Sequence, residues 1–184
     1  VVAKIEGADT SRPGLVVHGH LDVVPANADD WSVDPFGGVI KDGYLWGRGA
    51  VDMKDMDAMI IATVRAWKRA NYKPPRNILL VFFADEEAGS EYGSRYLVKN
   101  RPEIFKGYTE AISEVGGFSV TITGGHRLYF IEGAQKGINW LQLKAKGEAG
   151  HGSFINPKNA VTKLAAAVAR IGSYEWPQVE TKTG

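Results

Sequence analysis

The sequence predicts an α/β protein with a mostly parallel sheet and helices on both faces, followed by part of a smaller α+β unit. Two apolar runs, residues 15–17 and 78–84, are typical of buried strands. Between them, residues 53–70 carry apolar side chains at spacings of three and four, which indicates a helix. Strands that alternate with helices favour a parallel sheet.

The first predicted strand ends in the stretch "VVHGHLDVVP", where His18, His20 and Asp22 follow the apolar run. Open α/β sheets bind their ligands beyond the carboxyl ends of their strands, so this cluster is a candidate site. His20 and Asp22 are the candidates, because a carboxylate two residues away can orient an imidazole. A purely structural pair is the equal alternative, and His18 is assigned to structure.

A hairpin and a helix are predicted next. Val39-Ile40 and Tyr44–Trp46 flank a turn at Asp42-Gly43. The helix that follows has one apolar face, formed by Met56, Met59, Ile60, Val64 and Trp67. Asp52 precedes this helix, at or near its N-cap, where a carboxylate is favoured.

The second buried strand leads into Asp85, Glu86 and Glu87, and a helix is expected over residues 91–99. A shorter strand ends at Glu114, and another is expected over residues 128–131. Neighbouring side chains at a strand end point to opposite sides. One of the two adjacent glutamates can therefore bind a metal while the other faces an attacking water, although such pairs are common in solvated turns.

The character of the sequence changes near residue 136, and we predict domains at 1–135 and 136–184. Residues 138–146 alternate apolar with polar side chains, which predicts a strand with one solvated face. A glycine-rich loop containing His151 then leads into a helix from about Asn159.

Composition excludes several classes of function. The chain has 22 basic and 21 acidic side chains, and no basic run suggests nucleic-acid binding. It has no cysteine, so thiolate metal sites and thiol nucleophiles are excluded. No apolar stretch is long enough to span a membrane, and no signal peptide precedes the first strand, so the expected location is the cytoplasm.

If the predicted strands are parallel neighbours, His20, Asp52, Glu86, Glu87 and Glu114 converge on one crevice. Carboxylates crowded in this way need a cation, since like charges would otherwise raise their pKa values steeply. Three ligating carboxylates and a bridging hydroxide balance two divalent ions. Zinc suits a mixed His and carboxylate set, and cobalt or manganese would fit the same ligands.

The combination of "HGHLDVVP", "DWSVDPFGG", "DGYLWGRGAVDMKD", "FFADEEAGS" and "SEVGG" is far more specific than its parts. In this order and spacing it resembles the di-zinc family of aminoacylase, glutamate carboxypeptidase and succinyl-diaminopimelate desuccinylase. The resemblance runs from about Leu15 to about Ala167. It implies a zinc-exopeptidase-like catalytic domain and a partial lid or dimerisation domain.

The resemblance also implies a role for each candidate. His20 and Glu114 would bind one zinc, Asp52 would bridge both ions, and Glu87 would bind the second. Glu86 would be the general base, and Asp22 would orient the His20 side of the site. In the motif "GEAGHGS", His151 would stabilise the oxyanion, commonly from the partner subunit of a homodimer; a plain loop histidine is the alternative.

One departure from the family pattern concerns the second zinc site. The family completes that site with a histidine from a C-terminal segment, and no histidine follows His151. We therefore expect this chain to be part of a longer enzyme.

The expected activity is metal-dependent hydrolysis of an amide or peptide bond in a small peptide or N-acyl amino acid. Carboxypeptidase, dipeptidase and deacylase activities all fit this expectation. The alternatives are an aminopeptidase of the same superfamily and a non-catalytic metal-binding or dimerisation module.

Overall fold

The computed structural model describes residues 1–135 and 137–181. Within this range the chain divides into two compact units, with the boundary between Gly116 and Gly117. The first unit carries the candidate site. The domain boundary predicted at 135/136 stays a prediction.

A four-stranded, mostly parallel sheet forms the centre of the first unit. The chain order of its strands is β1 (Val2–Ile5), β2 (Gly14–His20), β5 (Ile78–Phe83) and β6 (Tyr108–Ile112). In space the order is β1-β5-β2-β6, with β2 parallel to both of its neighbours and β1 antiparallel to β5. Sequence reasoning missed β1, an exposed edge strand of four residues.

Helices cover both faces of this sheet, as predicted. Helix α1 (Lys54–Arg69) packs on one face through Ile60, against a cluster that includes Ile78 and Leu80. Helix α2 (Ser94–Asn100) and the 3-10 turn after it pack on the other face. That face is formed by Val16, Leu79, Val81 and Phe83. The two faces alternate along each strand because successive side chains point to opposite sides.

The predicted apolar face of α1 is correct except at one residue. Met56, Val64 and Trp67 pack against the sheet, whereas Met59 is 59% exposed. The N-cap residue of α1 is Met53, which makes no side-chain capping hydrogen bond, so Asp52 lies one residue before the cap. The carboxylate of Asp52 is thus free to serve the candidate site instead of the helix end.

The hairpin predicted before α1 is present, with β3 (Val39–Lys41) antiparallel to β4 (Tyr44–Trp46). Asp42 and Gly43 form its turn, both with positive φ, as such a tight turn requires. Residues 91–93 were predicted to be helical, but α2 begins only at Ser94.

The second unit contains a two-stranded sheet of β7 (Gly116–Thr121) and β8 (Arg127–Ile131), and helix α3 (Ala160–Gly172). The side chain of Asn159 caps α3 by accepting the backbone N–H groups of Val161 and Thr162. The strand predicted over residues 138–146 is wrong for the described residues of that range, which form no regular element. A strand is stable only beside a hydrogen-bonded neighbour, and alternation of side chains cannot supply one.

No helix in the described part of the chain is long and apolar enough to cross a membrane.

Candidate metal centre

The candidate ligands come together at one edge of the central sheet. His20 is the last residue of β2 and is in register with Phe83, the last residue of β5. Val17 pairs with Ile112 at the end of β6, so Glu114 lies two residues beyond that strand. The three parallel strands therefore end at the same edge, as their order predicts.

His20 lies at the centre of this cluster and is only 2% exposed. Its Nε2 atom is 3.1 Å from Asp52 Oδ1, 3.5 Å from Glu114 Oε2 and 3.9 Å from Glu86 Oε2. Its Nδ1 atom lies 2.9 Å from the backbone carbonyl oxygen of Asp22. The carbonyl of Asp22, more than its carboxylate at 3.6 Å, therefore orients the ring.

The side chains form two groups that could each hold an ion. One group is His20, Glu86 and Glu114, and the other is His20, Asp52 and Glu87; in each, the ligand atoms lie within 4.8 Å of one another. Both glutamates of the adjacent pair thus reach the same imidazole. Their division into one ligand and one base stays a prediction.

The carboxylate of Asp22 holds the turn that carries both glutamates. Its Oδ1 accepts the backbone N–H of Glu86 and its Oδ2 accepts that of Glu87, each at 3.0 Å. Burial alone would raise the pKa of Asp22, but these two donors outweigh it and lower the pKa. Asp22 is therefore an ionised anchor between the end of β2 and the end of β5.

Burial and the neighbouring carboxylates together shift the pKa values of the groups around the imidazole. Burial raises the pKa of Glu114 and of Glu87, and the neighbouring carboxylates raise both further. Burial lowers the pKa of His20, but the Asp22 carbonyl, Glu114 and Asp52 outweigh it and raise the pKa. Divalent cations would relieve this crowding, so the donor set fits the metal that the sequence predicts.

Two further histidines that the sequence singles out, His18 and His151, belong to neither of these two ligand groups. His18 packs edge-on against Phe83, with 5.3 Å between ring centroids, and its Nδ1 is 3.1 Å from Ser113 Oγ. Burial lowers the pKa of His18. His151 belongs to the second unit, where its Nδ1 lies 2.8 Å from Ser153 Oγ. Its part in catalysis stays a prediction.

Sequence reasoning missed one buried acid behind the site. Asp57 is 5% exposed, and neither of its carboxylate oxygens has a hydrogen-bond partner among the described residues. A Cβ atom on Gly19, directly before His20, would lie 2.4 Å from Asp57 Oδ1. The signal was available, because Asp57 precedes Ile60 by three residues and Val64 by seven, on the apolar stripe of α1.

Comparison with known proteins places these observations in a family. Residues 16–184 match the family described as Peptidase family M20/M25/M40. An uncharacterized metallohydrolase of Methanocaldococcus jannaschii is 37% identical over 164 residues, which cover 88% of this chain and 37% of that protein. Aminoacylase-1 of Sus scrofa is 32% identical over 166 residues, which cover 90% of this chain and 39% of that protein.

A solved structure is also similar to this chain. Human carnosine dipeptidase 1 superimposes with a TM-score of 0.54 and 32% identity over 61% of this chain and 24% of that one. The chain spans about two fifths of the length of the two curated relatives above. The family resemblance stated from the motifs is confirmed: the chain belongs to peptidase family M20/M25/M40.

Proposed function

We propose that the protein hydrolyses an amide or peptide bond in a small substrate with the help of two divalent metal ions. The observation that carries this proposal is the convergence of four carboxylate side chains from three loops on the buried imidazole of His20. Such a cluster is unfavourable without cations and matches their ligand preference. Membership in the family supports a metal-dependent hydrolase.

In this proposal His20 and Glu114 would hold one ion, Glu87 would hold the other and Asp52 would serve both. Zinc is the proposed metal, and cobalt and manganese suit the same ligands. Bound there, the ions would polarise the substrate carbonyl and lower the pKa of a water molecule. Asp22 fixes the backbone of both glutamates, so that their carboxylates stay aimed at the crevice.

Glu86 is the proposed general base. Its side chain is about half exposed at the mouth of the site, which leaves it accessible to water and substrate. Glu86 takes the proton of the attacking water and returns it to the departing amine nitrogen. His151 is proposed to donate to the developing oxyanion, from the partner subunit of a homodimer.

The proposed substrate is a small peptide or an N-acyl amino acid. Aminoacylase-1 and a carnosine dipeptidase are among the proteins that this chain resembles, and both names point to small amide substrates. Aminopeptidase activity and a non-catalytic metal-binding module are the competing possibilities. The cytoplasmic location also stays a prediction.

The decisive experiment compares Glu86→Gln with the wild type in the protein at its natural length. We expect unchanged metal content by elemental mass spectrometry and a fall in kcat of at least about 100-fold. Glu91→Gln is the matched control, because Glu91 follows the same strand and pairs only with the exposed Arg95 among the described residues. Full activity of Glu86→Gln would remove the base assignment.

The substrate panel separates the competing functions. It contains N-acyl amino acids, dipeptides with a free carboxyl end and aminoacyl amides with a blocked one. Cleavage of N-acyl amino acids, or of dipeptides but not of the amides, supports the proposal, because these substrates share a free carboxyl end. Cleavage of the amides but not of N-acyl amino acids, with or without the dipeptides, means an aminopeptidase, which requires only a free amino end. Metal binding without turnover of any class would favour the non-catalytic module.

A further inference from the structure

The proposed metal ligand Glu114 lies beyond the end of β6, where no backbone ladder of the described residues holds it in place. Backbone pairing between β2 and β6 runs from Gly14 to Val17 on β2 and stops at Ile112 on β6. Glu114 lies two residues past this ladder, yet its Oε2 is 3.5 Å from His20 Nε2. Something other than the ladder must hold residues 113 and 114 beside the end of β2.

A side-chain hydrogen bond spans this gap. Nδ1 of His18 and Oγ of Ser113 are 3.1 Å apart, and both side chains are partly buried. His18 follows Val17 on β2 and Ser113 follows Ile112 on β6, so the bond continues the pairing by one step. It lies between the end of the backbone ladder and Glu114.

His18 is itself held in place by packing. Its ring stands edge-on to Phe83, with 5.3 Å between centroids and 73° between ring planes. Phe83 is buried in the cluster that fills one face of the sheet. The imidazole is therefore held in one position by β2 and β5. Its hydrogen bond to Ser113 restrains the residues that follow β6.

We propose that His18 and Ser113 are positioning residues: their hydrogen bond fixes the end of β6 and so aims Glu114 at the ion that it shares with His20. This inference rests on the proposed function, in which Glu114 is a metal ligand. Neither residue belongs to the two groups of possible metal ligands around His20. Groups that orient metal ligands from behind typically change metal affinity or activity by about 10- to 100-fold when they are removed.

The test measures the affinity for Zn²⁺ in the protein at its natural length, by competition with a chromophoric chelator, for each of the two ions. His18→Phe keeps an aromatic ring against Phe83 but loses the hydrogen bond, and Ser113→Ala loses it from the other side. We expect each single variant to lower the affinity for one of the two ions about tenfold. The double variant is expected to lower that affinity no further. Ser113→Thr keeps the hydroxyl group and is expected to keep the wild-type affinity for both ions.

A control variant and a measurement of the melting temperature separate this role from a general loss of structure. Ser119→Ala also loses a side-chain hydrogen bond, the one that Ser119 Oγ accepts from Arg127, and is expected to leave both affinities unchanged. Additive losses in the double variant would overturn the proposal. So would a lower melting temperature with both affinities intact.

Glu114→Gln separates the positioning role of His18 and Ser113 from the assignment of Glu114 as a metal ligand. If this variant weakens an ion while His18→Phe and Ser113→Ala do not, the positioning role alone is wrong. If Glu114→Gln leaves both affinities unchanged, Glu114 is not a ligand, and the ligand assignment falls together with the positioning role.

Discussion

The carboxylate of Asp22 accepts the backbone N–H of Glu86 at 3.0 Å, across 64 positions of sequence. The second carboxylate oxygen accepts the N–H of Glu87 at the same distance. The aspartate predicted to orient His20 thus does so mainly through its backbone carbonyl, and its side chain holds the glutamate turn. One residue thereby links the histidine ligand to the proposed base.

Asp22→Asn is expected to lower kcat by about 10- to 100-fold while metal binding is largely kept. Asparagine has one acceptor oxygen, so the N–H of either Glu86 or Glu87 loses its partner and the turn loosens. Steady-state kinetics and elemental analysis of the purified variant measure both effects.

Asp9→Asn is the matched control for that change. Asp9 also accepts a backbone N–H at 3.0 Å, from Ser11, but in the loop before β2 at the opposite end of the strand. Equal losses of kcat in Asp9→Asn and Asp22→Asn would contradict a specific role for Asp22.

Gly19→Ala is expected to destabilise the fold by about 1–3 kcal/mol and to reduce activity with it. The added Cβ would lie 2.4 Å from Asp57 Oδ1 and 2.8 Å from the terminal methyl carbon of Met53, both of them buried side chains. Relief requires the buried side chains of Asp57 and Met53 to shift beside His20, and any movement of α1 would also displace Asp52. Urea unfolding measures the loss of stability.

Gly133→Ala serves as the control for Gly19→Ala, because a Cβ there would meet no atom of the described residues within 4 Å. We expect its unfolding free energy to stay within about 0.5 kcal/mol of the wild type. If Gly19→Ala is as stable as Gly133→Ala, the close packing of β2 on α1 does not contribute measurably to the free energy of unfolding.

Asp57→Asn is expected to stabilise the protein at pH 7.5 by on the order of 1 kcal/mol, since a buried carboxylate with no hydrogen-bond partner among the described residues is costly. Burial raises the pKa of Asp57, so the folded state favours the protonated acid. Stability of the wild type therefore falls as the pH rises from the unfolded pKa, about 4, through the raised folded pKa. The advantage of Asp57→Asn should shrink toward pH 4.5.

Urea unfolding at both pH values measures this difference, with Asp55→Asn as the control. Asp55 carries the same charge on the same helix but is exposed, and its Oδ1 accepts the N–H of Met56. The role assigned to burial would be refuted if Asp57→Asn did not raise the free energy of unfolding at pH 7.5. An increase of the same size at both pH values would refute it as well.

Much of the site was predictable from sequence because its signals are local. Apolar runs mark β2 and β5, the spacing of apolar residues marks α1, and polar side chains follow each strand end. The parallel arrangement then predicts convergence of His20, Glu86, Glu87 and Glu114, and the structure brings all four together. The family membership follows from motifs that lie in those same loops.

Other features depended on contacts between distant residues. The alternation in residues 138–146 indicated a strand, but no pattern within one segment supplies the neighbour that a strand needs. The edge strand β1 was missed because its four exposed residues carry little pattern.

By itself, the sequence determined the composition of the site: one buried histidine, a surplus of carboxylates and the strand ends that carry them. The tertiary structure alone decided which atoms meet. The hydrogen bonds from Glu86 and Glu87 to Asp22 and the contact of His18 with Ser113 join residues 64, 65 and 95 positions apart. Such contacts depend on strand order and register, which arise only when the sheet assembles.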